Sequence, residues 1–431
     1  QREGTDVTAL DASAALAAAG EAAAAGERVL AIAAATSDRD AAALDRDEAE
    51  ADLVLVGLAA LLDPPRPEVP EAVATCRSAG IRPVMITGDH PATALAIARQ
   101  IGIADADTPA VTGAELAAEP ADAPARIAAA GVFARVTPEQ KISIVETLQG
   151  QGELVAMTGD GVNDAPALRR ADVGVAMGVA GTDVAREAAD LVLLDDNFAT
   201  LVAAVREGRR IYDNIRRFVR YTLTSNSGEL WTLILAPFLG FPVPLLPVQI
   251  LWINLVTDGL PGLALTRERA EHDVMARPPR RPDESIFAHG LWQHMIVIGL
   301  VIGAVCLGLL AWAYNGGSPR WRTLVFTALT LCQLAHALAI RSESRSLLAQ
   351  GLLTNRPLLG AVALTLGLQL AVVYHPWLQG VFHTRALTLG ELGLCLALPL
   401  VVLAAVEIEK ALVRRRLIYV AGSTVGPTSS G

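Results

Sequence analysis

Lysine is nearly absent from this sequence of 431 residues, and cysteine and aromatic residues are scarce. The two lysines are Lys141 and Lys410, and Phe, Trp and Tyr together make up 4% of the chain. The four cysteines form no Cys-x-x-Cys pair and no Cys/His spacing, which argues against a disulfide framework and a zinc site. We therefore expect buried, unpaired thiols at Cys76, Cys306, Cys332 and Cys395.

Charge is distributed unevenly along the chain. Residues 1–220 hold 34 acidic and 20 basic side chains, whereas residues 221–431 hold 11 and 15. The second part also contains apolar runs of about twenty residues, the length that crosses a hydrocarbon core of about 30 Å. We expect an acidic soluble part followed by a membrane part, and no nucleic acid partner. The sequence starts at Gln1 without a leader segment, so we also expect a fragment of a longer chain.

Short apolar strands alternate with helical stretches between residues 61 and 197. Strands are predicted at 83–87, 154–158, 173–176 and 191–194, and helices at 91–101 and 138–148. This alternation predicts a parallel sheet covered by helices, with ligands beyond the C-terminal ends of the strands. Before it, we predict a helix at 13–25 and a strand at 28–32, followed by an apolar run at 53–62 that ends in a hinge at Asp63-Pro-Pro.

Two Thr-Gly-Asp turns follow predicted strands. In the stretch 158–168 (TGDGVNDAPAL), Asp160 and Asp164 are placed to hold a magnesium ion, which prefers carboxylate oxygens. The turn 87–89 ends an earlier strand and opens a helix, where a hydroxyl and backbone N–H groups can bind a phosphoryl oxygen. Lys141, after Thr-Pro-Glu-Gln, can supply the positive charge that phosphoryl transfer needs.

A basic stretch at 198–221 leads into a predicted membrane domain at 222–416, and residues 417–431 are predicted to be a disordered tail. The loops after even-numbered spans carry twelve Lys and Arg residues, and the opposite loops carry three. This asymmetry predicts a cytoplasmic C-terminus and soluble part. The six spans are predicted at 222–241, 246–265, 291–314, 322–341, 357–376 and 390–412.

Two of these spans carry carboxylates with polar neighbours. Asn226 and Glu229 are spaced to share a helix face in the first span, and the second carries Asn254, Thr257 and Asp258. A Gly-Leu-Pro sequence follows directly and weakens the helix, which frees carbonyl groups to coordinate an ion. Two carboxylates in lipid are hard to tolerate without a cation. Oxygen ligands alone favour a hard cation such as Ca²⁺ over soft metals.

The segments 62–66 (LDPPR), 85–90 (MITGDH), 133–141 (FARVTPEQK) and 158–168 resemble the signatures of P-type ATPases, within the haloacid-dehalogenase-like superfamily. The resemblance continues through Tyr212-Asp-Asn and the spans. It implies an α/β plus all-α membrane fold. Residues 1–60 would be the C-terminal remnant of a nucleotide-binding domain, and 61–197 a Rossmannoid phosphorylation domain. A stalk helix and a six-helix transmembrane bundle would follow.

This resemblance also implies roles for single residues, with ATP and Mg²⁺ as cofactors. Asp160 would bind Mg²⁺ and Asp164 would support it. Nucleotide contacts would come from Arg28 and Arg135. The phosphate site would comprise Thr87, Gly88, Asp89, Lys141 and Asn163.

The membrane motifs resemble the ion-binding segments of calcium-type pumps, and six spans argue against the heavy-metal pumps. The transported cation would bind Asn226, Glu229, Asn254, Thr257, Asp258 and Gln333. Gln333 stands where those pumps have a glutamate ligand, so Ca²⁺ is favoured while Mn²⁺, Na⁺ and K⁺ stay open. His336, one turn away, is either a proton-transferring group or, as we favour, a packed histidine.

Two motifs of the family are absent: DKTGT, whose Asp is the nucleophile, and the TGES dephosphorylation loop. The resemblance places both in an N-terminal half, which would be a required partner. The lipid bilayer would be a second partner, and the Ala- and Arg-rich composition with two lysines favours a bacterial plasma membrane. We expect that the chain alone neither hydrolyses ATP nor transports. Two alternatives stay open: a membrane-anchored haloacid-dehalogenase-type phosphatase, which would not need Glu229 or Asp258, and a non-catalytic half-pump.

Overall fold

The structure, a computed structural model, describes residues 2–3, 6–35, 53–61, 64–343 and 345–419. The chain divides into two compact units, the first formed by 1–205 with 275–282 and the second by 206–274 with 283–431. The hinge predicted at Asp63 and the tail beyond 419 lie outside the described residues. A separate nucleotide-binding remnant at 1–60 stays a prediction.

The first unit contains the strands and helices of the predicted α/β part, and their bounds follow the predicted alternation closely. The described strands are β1 (Arg2–Glu3), β2 (Asp6–Val7), β3 (Arg28–Ala34), β4 (Val54–Leu61), β5 (Met85–Ile86), β6 (Ala110–Thr112), β7 (Val132–Ala134), β8 (Ala156–Gly159), β9 (Val173–Met177) and β10 (Leu191–Leu193). The described helices are α1 (Ala12–Ala24), α2 (Val69–Ser78), α3 (Pro91–Gln100), α4 (Gly113–Ala118), α5 (Ala123–Ala129), α6 (Pro138–Gly150), α7 (Ala165–Arg170) and α8 (Asp183–Ala188).

The parallel strands form two three-stranded sheets rather than the single sheet predicted. In one sheet β7 lies between β5 and β6, and in the other β9 lies between β8 and β10. No described strand pairs with the outer edge of β5 or of β8, so the two sheets are not joined by hydrogen bonds at these edges. Helix α6 packs on both, because Ile144 joins Phe133 in one core cluster and Val145 joins Met157 in the other. Ile86 of β5 touches both clusters.

Local start signals in the sequence position helix α6. Thr137 caps the helix, Pro138 occupies its first turn, and the Gln140 side chain accepts a hydrogen bond from the Thr137 N–H group. Such a reciprocal cap satisfies backbone donors that the first turn leaves unpaired. The Gln140 side-chain amide also donates to the Gly113 carbonyl at 2.7 Å. The cap therefore fixes the position of Lys141 in the first turn.

The second unit is helical, and it shares its first helix with the first unit. The described helices are α9 (Phe198–Phe238), α10 (Pro247–Trp252), a π-helix (Ile253–Thr257), α11 (Gly259–Leu265), α12 (Leu291–Asn315), α13 (Trp321–Ala339), α14 (Leu347–Gln350), α15 (Arg356–Tyr374), α16 (Pro376–Phe382), α17 (Leu389–Ala397) and α18 (Pro399–Arg414).

Five helical segments of the described chain are long and apolar enough to cross a membrane. Their bounds lie within two residues of five of the six predicted spans. The remaining span, predicted at 222–241, falls in the second half of α9 and is too polar to join them, since 222–229 contains Thr, Ser, Asn and Glu residues. It stays a prediction. The five segments are Pro247–Leu265, Leu291–Asn315, Trp321–Ala339, Arg356–Tyr374 and Leu389–Arg414.

Helix α13 is the most enclosed of these segments. It packs against α12 and α18, and Phe326, Leu329 and Cys332 along it are fully buried. All four cysteines are buried, as predicted, and no disulfide links them in the described residues. They therefore serve as small apolar core residues.

Candidate functional sites

The turn 87–89, which follows β5, is closed by its own side chains. The Thr87 hydroxyl donates to Asp89 Oδ2 at 2.9 Å and accepts the Asp89 N–H at 3.1 Å. The loop after β7 is joined to this turn, because the Arg135 N–H donates to the Asp89 carbonyl and the Val136 N–H to the Thr87 carbonyl. Helix α3 begins only at Pro91, with His90 as its cap, so the turn lies just ahead of the helix.

Lys141 and Asp164 form an ion pair, with Lys141 Nζ 2.5 Å from Asp164 Oδ1. Both side chains are largely buried, at 15% and 12% exposed. The second oxygen, Asp164 Oδ2, accepts the Gly161 N–H at 3.3 Å. At Gly159, a Cβ atom would lie 2.5 Å from the Cβ of Asp164, so the pair requires glycine there. Two of the three motifs predicted to form the phosphate site, Lys141 and the stretch 158–168, thus meet in the fold.

A further carboxylate, Asp196, lies just after β10 and supports the loop that follows β9. It was not among the residues predicted from the sequence. Its oxygens accept the N–H groups of Val179 at 2.9 Å and Ala180 at 2.7 Å, which hold the pKa of Asp196 below its ordinary value. Two residues further on, the Thr182 N–H donates to the Asp160 carbonyl at 2.8 Å. Asp196 therefore fixes the loop against which Asp160 rests.

Arg66 binds the backbone at the same point. Its Nη1 donates to the Asp196 carbonyl at 2.5 Å, and Asp196 has a left-handed φ of +50°. Arg66 belongs to the LDPPR segment noted in the sequence, so that segment acts here as an anchor for the 195–197 turn. The aspartate pair in Leu-Leu-Asp-Asp-Asn-Phe could have predicted this turn, because Asp is among the non-glycine residues that adopt a positive φ most often.

The predicted phosphate ligands differ in their exposure. Asp164 is buried and held by Lys141, whereas the Asp160 and Asn163 side chains are exposed. Oxygen ligands of this kind fit Mg²⁺, with Asp160 as the carboxylate open to an ion. In the described part of the chain, however, no group of three His, Cys, Asp or Glu side chains is arranged to hold a metal. A magnesium site at Asp160 and Asp164 stays a prediction.

The remaining predicted residues of the first unit contribute less to this geometry. Gly88 and Arg135 are exposed, and Arg135 has a positive φ of +50°. The backbone of Arg28 begins β3, but its side chain lies outside the described part of the structure. The nucleotide contacts of Arg28 and Arg135 stay predictions.

Four of the six predicted cation ligands are buried in the second unit: Glu229, Thr257, Asp258 and Gln333. Within the described residues, no hydrogen-bond partner satisfies Glu229 Oε1, the Thr257 hydroxyl, either Asp258 oxygen, or the Gln333 amide. The Asp258 and Glu229 carboxylates lie close enough to interact electrostatically. Buried polar atoms are normally paired, so this group is suited to a bound cation.

The other two predicted ligands lie outside this group. Asn226 and Asn254 are exposed, and the Asn254 side-chain amide donates to the Ile250 carbonyl at 3.1 Å. The π-helix between residues 253 and 257 explains the position of Asn254. The Asp258 N–H donates to the Ile253 carbonyl, which makes this turn wider than that of an α-helix. A regular helix would place Asn254 and Asp258 on one face, and the wider turn separates them.

Tyr221 is a further residue of this site that the sequence argument missed. It is fully buried, and its hydroxyl donates to the Thr257 carbonyl at 2.7 Å. Pro261 lacks the N–H group that would bind this carbonyl in a regular helix. The predicted helix weakening at Gly259 and Pro261 thus occurs one turn earlier, as the π-helix. The sequence signal was Pro261 itself, because a proline in a helix leaves the carbonyl four residues earlier without a backbone donor.

A buried ion pair lies beyond the ends of two spans. Arg341 contacts Glu268 with two nitrogens, Nε at 2.9 Å and Nη2 at 3.0 Å, and both side chains are almost fully buried. Asn355 donates to Glu268 Oε2 at 2.8 Å. Three segments, after α11, after α13 and before α15, are therefore tied together by one carboxylate.

Two known families match the sequence. Residues 242–412 match the family "Cation transporting ATPase, C-terminus", and residues 2–172 match "haloacid dehalogenase-like hydrolase". The first match falls mainly in the helical second unit, and the second falls in the first, α/β unit.

Several proteins are similar over most of this chain. A calcium-transporting ATPase of Bacillus subtilis is 47% identical over 351 residues, which cover 80% of this chain and 39% of that protein. A probable cation-transporting ATPase F of Mycobacterium tuberculosis is 44% identical over 353 residues, with 80% and 39% coverage. An endoplasmic reticulum calcium ATPase of Aspergillus fumigatus is 40% identical over 421 residues, with 89% and 43% coverage. The chain thus spans about two fifths of these relatives' length.

Proposed function

Because the chain belongs to the P-type cation-transporting ATPase family, with calcium-pump-like relatives, we propose that it takes part in ATP-driven Ca²⁺ transport through an aspartyl-phosphate cycle. The observation that carries the cation site is the buried group of unpaired oxygens at Glu229, Thr257, Asp258 and Gln333. Carboxylate, hydroxyl and amide oxygens are the ligands that Ca²⁺ prefers. A segment from outside the chain would complete the shell, since Asn226 and Asn254 are exposed.

The first unit would respond to the phosphate. Asp160 and Asp164 would hold Mg²⁺, which when bound supplies positive charge to the phosphoryl oxygens. Lys141 would add its own charge, and the Asp164 carboxylate, 2.5 Å from Lys141 Nζ, would orient the amine. The Thr87 hydroxyl would turn from Asp89 toward a phosphoryl oxygen.

The nucleophilic carboxylate and the ATP-binding surface would come from a segment that this chain does not contain. The outer edges of β5 and β8, which pair with no described strand, support this proposal, because each precedes one half of the proposed phosphate site. A strand carrying the nucleophile could pair with these edges. We expect no ATP hydrolysis by the chain alone, with its soluble unit on the cytoplasmic side of a plasma membrane.

Cation binding tests the proposal directly. The full chain in lipid nanodiscs should bind Ca²⁺, measured by calorimetry against Mn²⁺, Na⁺ and K⁺. Glu229→Gln and Asp258→Asn should each weaken binding about 30-fold or more, since loss of a buried charged ligand costs about 2–5 kcal/mol. Glu391→Gln is the matched control, because this carboxylate at the start of α17 is already paired with Arg320.

The alternative functions give different results. A membrane-anchored phosphatase would hydrolyse p-nitrophenyl phosphate with unchanged rate in Glu229→Gln and Asp258→Asn. Absence of saturable binding for every cation would contradict the transport proposal. Tighter binding of Mn²⁺, Na⁺ or K⁺ than of Ca²⁺ would support the pump proposal and change the identity of the transported ion.

A further inference from the structure

A polar cavity of about 110 Å³ lies in the second unit. A cavity of this size has room for several water molecules. Its lining is unusually rich in ionisable groups for a site next to membrane spans. They include Arg220, His289, His294, Glu343, Glu409 and Lys410.

Three of the second unit's titratable side chains form a continuous hydrogen-bonded chain that starts at this cavity. Glu409 of α18 lies 2.5 Å from His294 Nδ1 of α12. His294 Nε2 lies 3.0 Å from His336 Nε2 of α13. The Glu409 side chain is 14% exposed and that of His294 3%, while His336 is fully buried. The chain therefore leads from the cavity into the interior of the bundle.

The bonding pattern assigns the protons. The Glu409 carboxylate accepts hydrogen bonds, one of them from Tyr419 at 2.8 Å, so the proton between Glu409 and His294 belongs to His294 Nδ1. A neutral His294 then accepts at Nε2, and His336 donates its Nε2–H to it. This leaves His336 Nδ1 as a proton acceptor, buried and without a hydrogen-bond partner among the described residues.

The inner end of the chain lies beside the candidate cation site. The His336 ring stacks on Tyr221, with ring centres 5.9 Å apart, and Tyr221 binds the Thr257 carbonyl. The nearby cationic groups are occupied elsewhere, since Arg220 donates to Glu343 at 3.1 Å and Lys410 to the Ala339 carbonyl at 2.6 Å. The other titratable groups around the chain are His289 and Tyr419, which line the cavity.

We propose that Glu409, His294 and His336 form a proton relay between this cavity and the interior of the bundle. A proton from the interior binds His336 Nδ1, and the Nε2 proton of His336 passes to His294 Nε2. The Nδ1 proton of His294 passes to the Glu409 carboxylate, which releases it to water in the cavity. No electrons move, and each N–H bond broken is matched by one formed. Both rings end in the opposite tautomer; the reverse sequence restores them by carrying the proton back, so repeated transfer in one direction needs a separate tautomer exchange at each ring.

Transport of a proton against the cation would use this route. That use rests on the proposed function, whereas the relay itself does not.

Proton exchange at the buried His336 tests the relay. The full chain has seven histidines, so ¹⁵N-histidine NMR in nanodiscs can resolve each ring once single substitutions assign them. In the wild type, the His336 ring N–H should exchange rapidly with water although the side chain is buried. Glu409→Gln keeps a hydrogen-bond acceptor but cannot take up a proton, so exchange should slow about 100-fold or more. Glu409→Asp should restore much of the rate.

His289→Gln is the matched control, since this histidine lines the same cavity but pairs with Glu284. His294→Gln gives a second interruption of the relay should Glu409→Gln fold poorly. Slow exchange in the wild type, or a wild-type exchange rate in both relay variants, would overturn the relay and leave a structural histidine pair. Ca²⁺ binding is measured on the same samples: if it is absent while the exchange result holds, the proposed function fails alone.

Discussion

The Tyr221 hydroxyl donates a 2.7 Å hydrogen bond to the Thr257 carbonyl, inside the helical segment that carries Asp258. This bond replaces the backbone donor that Pro261 lacks. It also ties α9, which carries Glu229, to the irregular helix that carries Asp258. The relative position of the two buried carboxylates therefore depends on one phenol.

Tyr221→Phe removes this donor and leaves the Thr257 carbonyl buried and unpaired. We expect a loss of about 1–3 kcal/mol in the stability of the second unit, seen as a lower midpoint of thermal unfolding in detergent. Tyr314→Phe is the control, since the partly exposed Tyr314 ring packs edge-on against Phe241 and Trp321. Equal midpoints for the two variants would show that another group satisfies the carbonyl.

Gly159→Ala should disrupt the proposed phosphate site without a change of charge. The added Cβ would lie 2.5 Å from Asp164 Cβ, so Asp164 must move away from Lys141. We expect a loss of about 1–3 kcal/mol, the usual effect of overpacking, in chemical denaturation of the first unit. Gly150→Ala, at the end of α6, adds a methyl group that would meet no neighbouring atom within 4 Å, and it should be neutral or slightly stabilising. Similar losses at both glycines would rule out the proposed steric cause.

Local signals in the sequence predicted about half of the elements of the first unit. Helix α6 starts at Pro138 as expected, because its cap is encoded within four consecutive residues. The prediction of a single sheet was wrong, because the pairing partner of β5 is a strand far from it in sequence, and local sequence signals do not specify such pairing. Arg66 and Asp196, 130 positions apart, are a similar non-local case.

Helical spacing predicted part of the membrane site but not which side of each helix is buried. Asn226 and Glu229 are three residues apart and differ by about 60° around an α-helix, enough for one to be exposed and the other buried. The position of the buried arc depends on neighbouring helices, which spacing within one helix does not encode. The π-helix also changed the angle between Asn254 and Asp258. His336 is packed, as we favoured, and also bonded to His294.

Asp196 should make the stability of the first unit depend on pH. Backbone N–H groups of Val179 and Ala180 lower its pKa in the folded state, so its contribution is present above the unfolded pKa. That contribution is lost as the pH falls through the lower, folded pKa. Asp196→Asn should therefore lower the unfolding midpoint at neutral pH, and the difference from wild type should shrink below about pH 4. The exposed Asp107→Asn serves as control. A difference independent of pH would exclude this cause.

The Arg341–Glu268 pair should be far more sensitive to substitution than a surface pair. Arg341→Met leaves the buried Glu268 carboxylate with Asn355 and Gln350 as its remaining polar partners, and we expect a loss of about 3–5 kcal/mol. Arg341→Lys should recover little, because an ammonium group cannot reproduce the two-nitrogen contact.

The control is Arg170→Met, which breaks the exposed pair with Glu146 and should cost about 0–1 kcal/mol. Thermal unfolding in detergent measures all of these variants. The double variant Arg341→Met/Glu268→Leu separates two explanations of the loss. Recovery of most of the stability would assign the loss to an unpaired buried charge, whereas no recovery would assign it to the attraction and hydrogen bonds of the pair itself.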